Sequence, residues 1–118
     1  MFKKKDNNNN NVDTILGSKG SFKGDILVEG GILIDGNVEG NVKTNSILIV
    51  GKEGHIIGDV WANELIVSGK IEGKVFVKNR IEVQSSGKIE GEIHCKILVV
   101  DEGGFVHGIT DMKYQENE

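Results

Sequence analysis

The sequence predicts an all-β, single-domain parallel β-helix, a β-solenoid of triangular cross-section with about six coils. Three observations carry that expectation. A five-residue unit of glycine, any residue, an apolar residue, any residue and glycine occurs six times, beginning at Gly20, Gly36, Gly54, Gly69, Gly87 and Gly104. The starts are 16, 18, 15, 18 and 17 residues apart, and a period of that size marks a repeat architecture. Between the units apolar residues recur at period two, and no stretch spaces them three and four apart as a helix requires. The chain also has no proline, in keeping with a body of stacked strands that use their N–H groups.

Each repeat then resolves into three strands. The glycine unit is the first, and its glycines turn the corners, where a positive φ would cost a residue with a Cβ about 1–2 kcal/mol. The second strand points Ile26, Val42, Val60, Val75 and Ile93 inward, followed two positions on by Val28, Thr44, Ala62, Val77 and Cys95. The third carries the inward pairs Ile32 and Ile34, Leu48 and Val50, Leu65 and Val67, Ile81 and Val83, and Ile97 and Val99. Strands of about five or six residues, stacked about 4.8 Å apart along the axis, would thread columns of like apolar side chains through the middle of the coil.

The flanks differ from this body. Residues 1–13 are expected to be a disordered tail, because the asparagine run Asn7–Asn11 cannot bury apolar surface. Its tip, Met1 and Phe2 beside Lys3, Lys4 and Lys5, has the composition of a small anchor for an anionic membrane surface. The β-helix is expected over 14–112, with a short polar tail at 113–118. Neither flank looks like a cap, so both ends of the rod are expected to be open and to form the polymer interface. Leu16 and Phe22 stand at one end, and Phe105, Ile109 and Met112 at the other.

Composition excludes several functions. The net charge of −4 comes from lysines and glutamates interspersed on the same outward faces, which argues against nucleic acid. One cysteine makes no disulfide framework. With no secretory signal and no apolar run near twenty residues, the cytoplasm is the expected compartment. The glycine pairs Gly30-Gly31 and Gly103-Gly104 lack the pattern of a nucleotide loop. His55, His94 and His107 fall in three different columns, so no metal site is expected. Cys95 falls in an inward column as a core residue. Glu72 and Glu90 share an outward column beside Lys70 and Lys88, a charge ladder with no cleft. Trp61 and Phe76 share an outward column on adjacent coils, either as a local stacked pair or as a lateral contact between rods.

The rival reading is a left-handed hexapeptide-repeat enzyme, an acyltransferase or carbonic-anhydrase-like protein. Ile71, Val77, Val83 and Ile89 are six apart, but the register breaks where Cys95 is followed by Asp101, and coil lengths from 15 to 18 are too uneven. No inserted loop closes a site, so the chain is read as a structural protein and not an enzyme, without a cofactor.

On the glycine units from Gly20 to Gly108, the two polar flanks and the Met1-Phe2 start with its lysines, the chain resembles the bactofilins, small bacterial cytoskeletal proteins. The resemblance implies a right-handed coil that polymerises end to end, without nucleotide, into filaments held by apolar contacts and lacking overall polarity. It implies a peripheral location at the inner face of the cytoplasmic membrane, and a scaffolding role for cell shape, cell-wall enzymes or other scaffold proteins. It also implies that an aromatic residue near the last coil joins the polymer contact, and Phe105 is the matching residue. The asparagine run departs from the proline-containing tails common in that family.

Overall fold

The computed structural model describes residues 12–112. Over that span the chain contains strands and turns only, and its strands pair in parallel with those of the coils on either side. Each coil runs through three faces. The glycine face holds Ser21–Lys23, Asn37–Glu39 and His55–Ile57 and continues through 70–72, 88–90 and 105–107. The aromatic face holds Ile26–Val28 and Val42–Thr44 and continues through 60–62, 75–77 and 93–95. The aliphatic face holds Val12–Leu16, Gly31–Ile34, Ile47–Val50 and Ile97–Val100, with 64–67 and 80–83 between them.

Alternation within each strand builds the core. On the glycine face Phe22, Val38, Ile56, Ile71, Ile89 and Val106 lie in one inward column, each paired with the next. Ile56, Ile71 and Ile89 are 0% exposed, and full burial of such a side chain contributes about 1.5–3 kcal/mol. The expected inward residues of the aromatic face from Val42 to Cys95 are buried likewise, Cys95 fully, while Ile26 and Val28 at its start are only partly buried. Thr44 is a buried polar residue in this column. Its hydroxyl donates to Gly30 O at 2.6 Å and accepts from Ser46 N at 3.1 Å, so its burial leaves no unmet hydrogen bond.

The two glycines of a unit differ in backbone conformation. The second is left-handed, with φ +146° at Gly73 and +140° at Gly91. The first has no such φ; a Cβ on Gly69 would run into the carbonyls of Gly51 and Gly54 in the coil beneath. The second is packed as closely, since a Cβ on Gly73 would run into the backbone of Gly58, so both glycines let coils touch and only the second also needs the left-handed φ.

Strand lengths depart from the expectation of three separate strands of similar length. Early in the chain they are three to five residues long, whereas Val60–Val67, Lys70–Val83, Lys88–His94 and Phe105–Asp111 run through corners without a break. The residue after the second glycine decides this on the glycine–aromatic corner. Asp25, Asn41 and Asp59 accept, through their side chains, the N–H groups of Asn41, Asp59 and Lys74, and short Asx side chains of this kind favour turns over ladders. Lys74, Glu92 and Ile109 hold the same place later and let the strand continue.

The last inward pair of the aliphatic face is Leu98 and Val100, which pair with Ile81 and Val83, and not the expected Ile97 and Val99. Ile97 lies over Arg80, in the outward column of Ile47 and Glu64, so the inward positions fall one residue later, at Leu98 and Val100. A one-residue slip exchanges the two faces of a strand, and Ile97 accordingly points to solvent.

Candidate polymer interface

The inward columns do not stop at the buried coils; they run out at both ends of the described residues. The N-terminal layer consists of Thr14, Leu16, Phe22, Ile26 and Val28, each in column with a buried residue of the next coil. Its largest member, Phe22, is 39% exposed, and with Thr14, Leu16 and Ile26 it lines an apolar depression. The C-terminal layer consists of Leu98, Val100, Val106, Thr110 and Met112. Val100 is 42% exposed and Met112 43%. Met112 lies over Cys95, with their sulfurs 4.0 Å apart.

The five residues expected at the polymer ends therefore separate into two groups. Leu16, Phe22 and Met112 belong to the end layers themselves. Phe105 and Ile109 lie in outward columns, above Lys88 and Glu92, so they flank the C-terminal layer instead of closing it. The Lys88 ammonium sits 5.5 Å from the centre of the Phe105 ring, and the His107 ring stacks beside that ring at 6.1 Å. Ile26, Val28, Leu98, Val100 and Val106 were not singled out from sequence as end residues. Extending each inward column by one coil in each direction would have found them.

Trp61 and Phe76 stack with centroids 5.5 Å apart, and the stack continues to His94, 5.0 Å beyond Phe76. His94 Nε2 lies 2.9 Å from Glu92 Oε2, and its Nδ1 lies 3.6 Å from Asp111 Oδ2. The pair expected from sequence is thus part of a longer ladder across the aromatic face. His55 lies on the glycine face, 2.9 Å from Glu72, and Lys70 Nζ is 3.2 Å from the same carboxylate. These two hydrogen bonds hold the Glu72 carboxyl below the usual carboxylate range, the bond to His55 contributing most. Burial pushes the Cys95 thiol pKa up, away from the thiolate a nucleophile needs. Among the described residues no group of three or more His, Cys, Asp or Glu side chains is placed to hold a metal.

The described residues form a coil with a charged glycine face, a ring stack on the aromatic face and apolar layers at both ends. The family model that matches this chain is Bactofilin, described as polymer-forming cytoskeletal, and it matches residues 14–111. The chain belongs to the bactofilin family. No curated protein and no solved structure matches it. Met1, Phe2, Lys3, Lys4 and Lys5, expected from the sequence to be a membrane anchor, lie outside the described residues. No helix among the described residues is long and apolar enough to cross a membrane.

Proposed function

We propose that this bactofilin assembles end to end into filaments through its two apolar end layers. The observation that carries the reading is one column seen at two places: Ile71 is 0% exposed in the middle coil, while Phe22 in the same column is 39% exposed at the end. Covering Phe22, Leu16 and Ile26 with another subunit's layer would contribute on the order of 5 kcal/mol before association entropy. Parallel strand edges at both ends supply further hydrogen bonds. Phe105 and Ile109 form the rim of the C-terminal junction.

Assembly needs no nucleotide in this reading. The two glycine pairs support it, because each is packed on the coil next to it instead of cradling open space. A Cβ on Gly30 would meet Asp13, and one on Gly104 would meet Gln84 O at 2.9 Å. The filament lies peripherally at the inner face of the cytoplasmic membrane through Met1, Phe2 and Lys3–Lys5, each tip weak and the polymer firm by avidity. Its role is to scaffold cell shape or cell-wall machinery.

The test is Val106→Arg in the full chain, read by electron microscopy and sedimentation. A guanidinium in the C-terminal layer should leave a β-rich soluble species no larger than a dimer through the other end. Normal filaments from that variant would move assembly away from the end layers. A parallel deletion of Met1–Lys5 should keep filaments and abolish co-pelleting with anionic vesicles; continued co-pelleting would sink the anchor.

A further inference from the structure

The aliphatic face is apolar on both sides. Its inward side is the core, but its outward side carries a second set of aliphatic columns. Ile15, Leu33, Ile49 and Ile66 pair in register down one outward column, which ends in Glu82 and Val99. Ile47, Glu64, Arg80 and Ile97 form the neighbouring column. Ile15 is 61% exposed and Ile97 48%, and Leu33, Ile47, Ile49 and Ile66 are half-buried. The outward columns of the glycine face, by contrast, hold Lys70, Lys88, Glu72 and Glu90. Polar side chains on this third face would serve a rod that stood alone.

We infer that this face is a lateral contact between two copies of the chain in neighbouring filaments, with the rods parallel and a twofold axis running along them. The inference rests on the end-to-end reading above. A twofold along the rod axis reverses strand direction and keeps each coil level with its equivalent, so one outward column faces the other. Ile47 then meets Ile49 of the second copy, and Ile97 meets Val99. Arg80 meets Glu82, and Glu82 meets Arg80. Within one chain these two already lie 3.6 Å apart, so pairing turns a single ion pair into a closed set of four alternating charges. Arg80 and Glu82 are thus complementary in this arrangement, whereas Glu64 and the exposed Asp13 of the strand Val12–Leu16 meet no opposite charge in it.

The size of the strip decides when it pairs. Six strands about 4.8 Å apart and three to four residues wide give roughly 300–400 Å² per copy, about half of the ~800 Å² per partner that a stable interface buries. Single protomers therefore stay apart laterally, while filaments that repeat the contact bind by avidity. An anionic membrane is a poorer occupant, since Glu64 and Glu82 outnumber Arg80 on the strip.

The experiment compares the full chain with Ile49→Lys combined with Ile66→Lys, using negative-stain images and pelleting at low and high speed. The wild type should form paired or sheeted filaments that pellet at low speed. The variant should form single filaments of equal length, with the low-speed pellet reduced at least ~fivefold by the lost avidity. Arg80→Glu should also separate the filaments, and adding Glu82→Arg should restore pairing. Rescue by Glu64→Arg instead would mean antiparallel rods and overturn the arrangement. Single filaments from the wild type, or pairs that persist in the lysine variant, would overturn the lateral contact while leaving end-to-end assembly standing. Wild-type filaments that stay single yet lose vesicle binding in the variant would give the strip to the membrane. Absence of any wild-type filament would remove both readings.

Discussion

The middle coils and the terminal coils are made of the same columns and hold them in opposite states. Ile56, Ile71 and Ile89 are fully buried because a coil lies on each side of them, whereas Phe22 and Val106 have a neighbour on one side only among the described residues. Residue type does not distinguish the two settings; stacking does. In a solenoid each coil rests mainly on its neighbours, so the interaction that makes the rod cohere is left unmet at its ends. In the proposed assembly, cohesion and filament formation draw on one set of side chains. A change that weakens the fold in the middle should weaken only assembly at the end.

The largest effect should come from truncating the middle. Ile71→Ala removes a fully buried side chain and should cost about 2–5 kcal/mol, read by denaturant unfolding. Phe22→Ala, in the same column, should cost well under half of that in an assembly-blocked background, yet lower filament mass sharply. Equal losses of stability at the two positions would break the comparison.

Glycine replacement sharpens it. Gly91 is left-handed, and a Cβ there would run into the backbone of Gly73, so Gly91→Ala should cost several kcal/mol. Gly24 is also left-handed but meets only the Phe22 ring, at 3.6 Å, and Gly24→Ala should cost about 1–2 kcal/mol from the φ alone. Matching costs would mean that coil-to-coil contact adds nothing.

A smaller effect concerns Cys95, buried beneath the exposed Met112. A thiol reagent should label it slowly in the native protein and quickly in denaturant, because its surroundings disfavour the thiolate. Met112→Ala should speed native labelling several-fold in unassembled protein and little in filaments, where a second subunit covers the layer. Equal acceleration in both would place Met112 away from the junction.

The smallest effect is electrostatic and lies on the side of the rod. The carboxyl of Glu72 is held below its unfolded value by His55 and Lys70, so its contribution is present above the ordinary carboxylate range and is lost as pH falls through the lower, folded value. Glu72→Gln should flatten that part of the stability profile slightly, because the group is exposed and screened. A slope that steepens instead would reverse the sign of the pair.

Sequence alone determined the repeat, the three faces and most inward columns, because alternation at period two and glycine spacing are local signals. Cys95 could be placed inside the coil, and Phe22 and Met112 at its ends, by counting along one repeat. Tertiary structure decided everything that depends on which residue lies one coil away. The pairing of Ile97 with Arg80 put the last aliphatic pair at Leu98 and Val100, and corner length leaves no trace in the alternation of the strand that follows it. By contrast, the glycine unit at Gly104 already sets Val106 at its apolar position and Phe105 at a variable one, and the pairing of Val106 with Ile89 agrees. His94 joined Trp61 and Phe76, and Ile49 met Ile66 on the outer surface, through contacts between residues a full coil apart. Such neighbours are created by stacking, and stacking is set by the sum of all the corners before it.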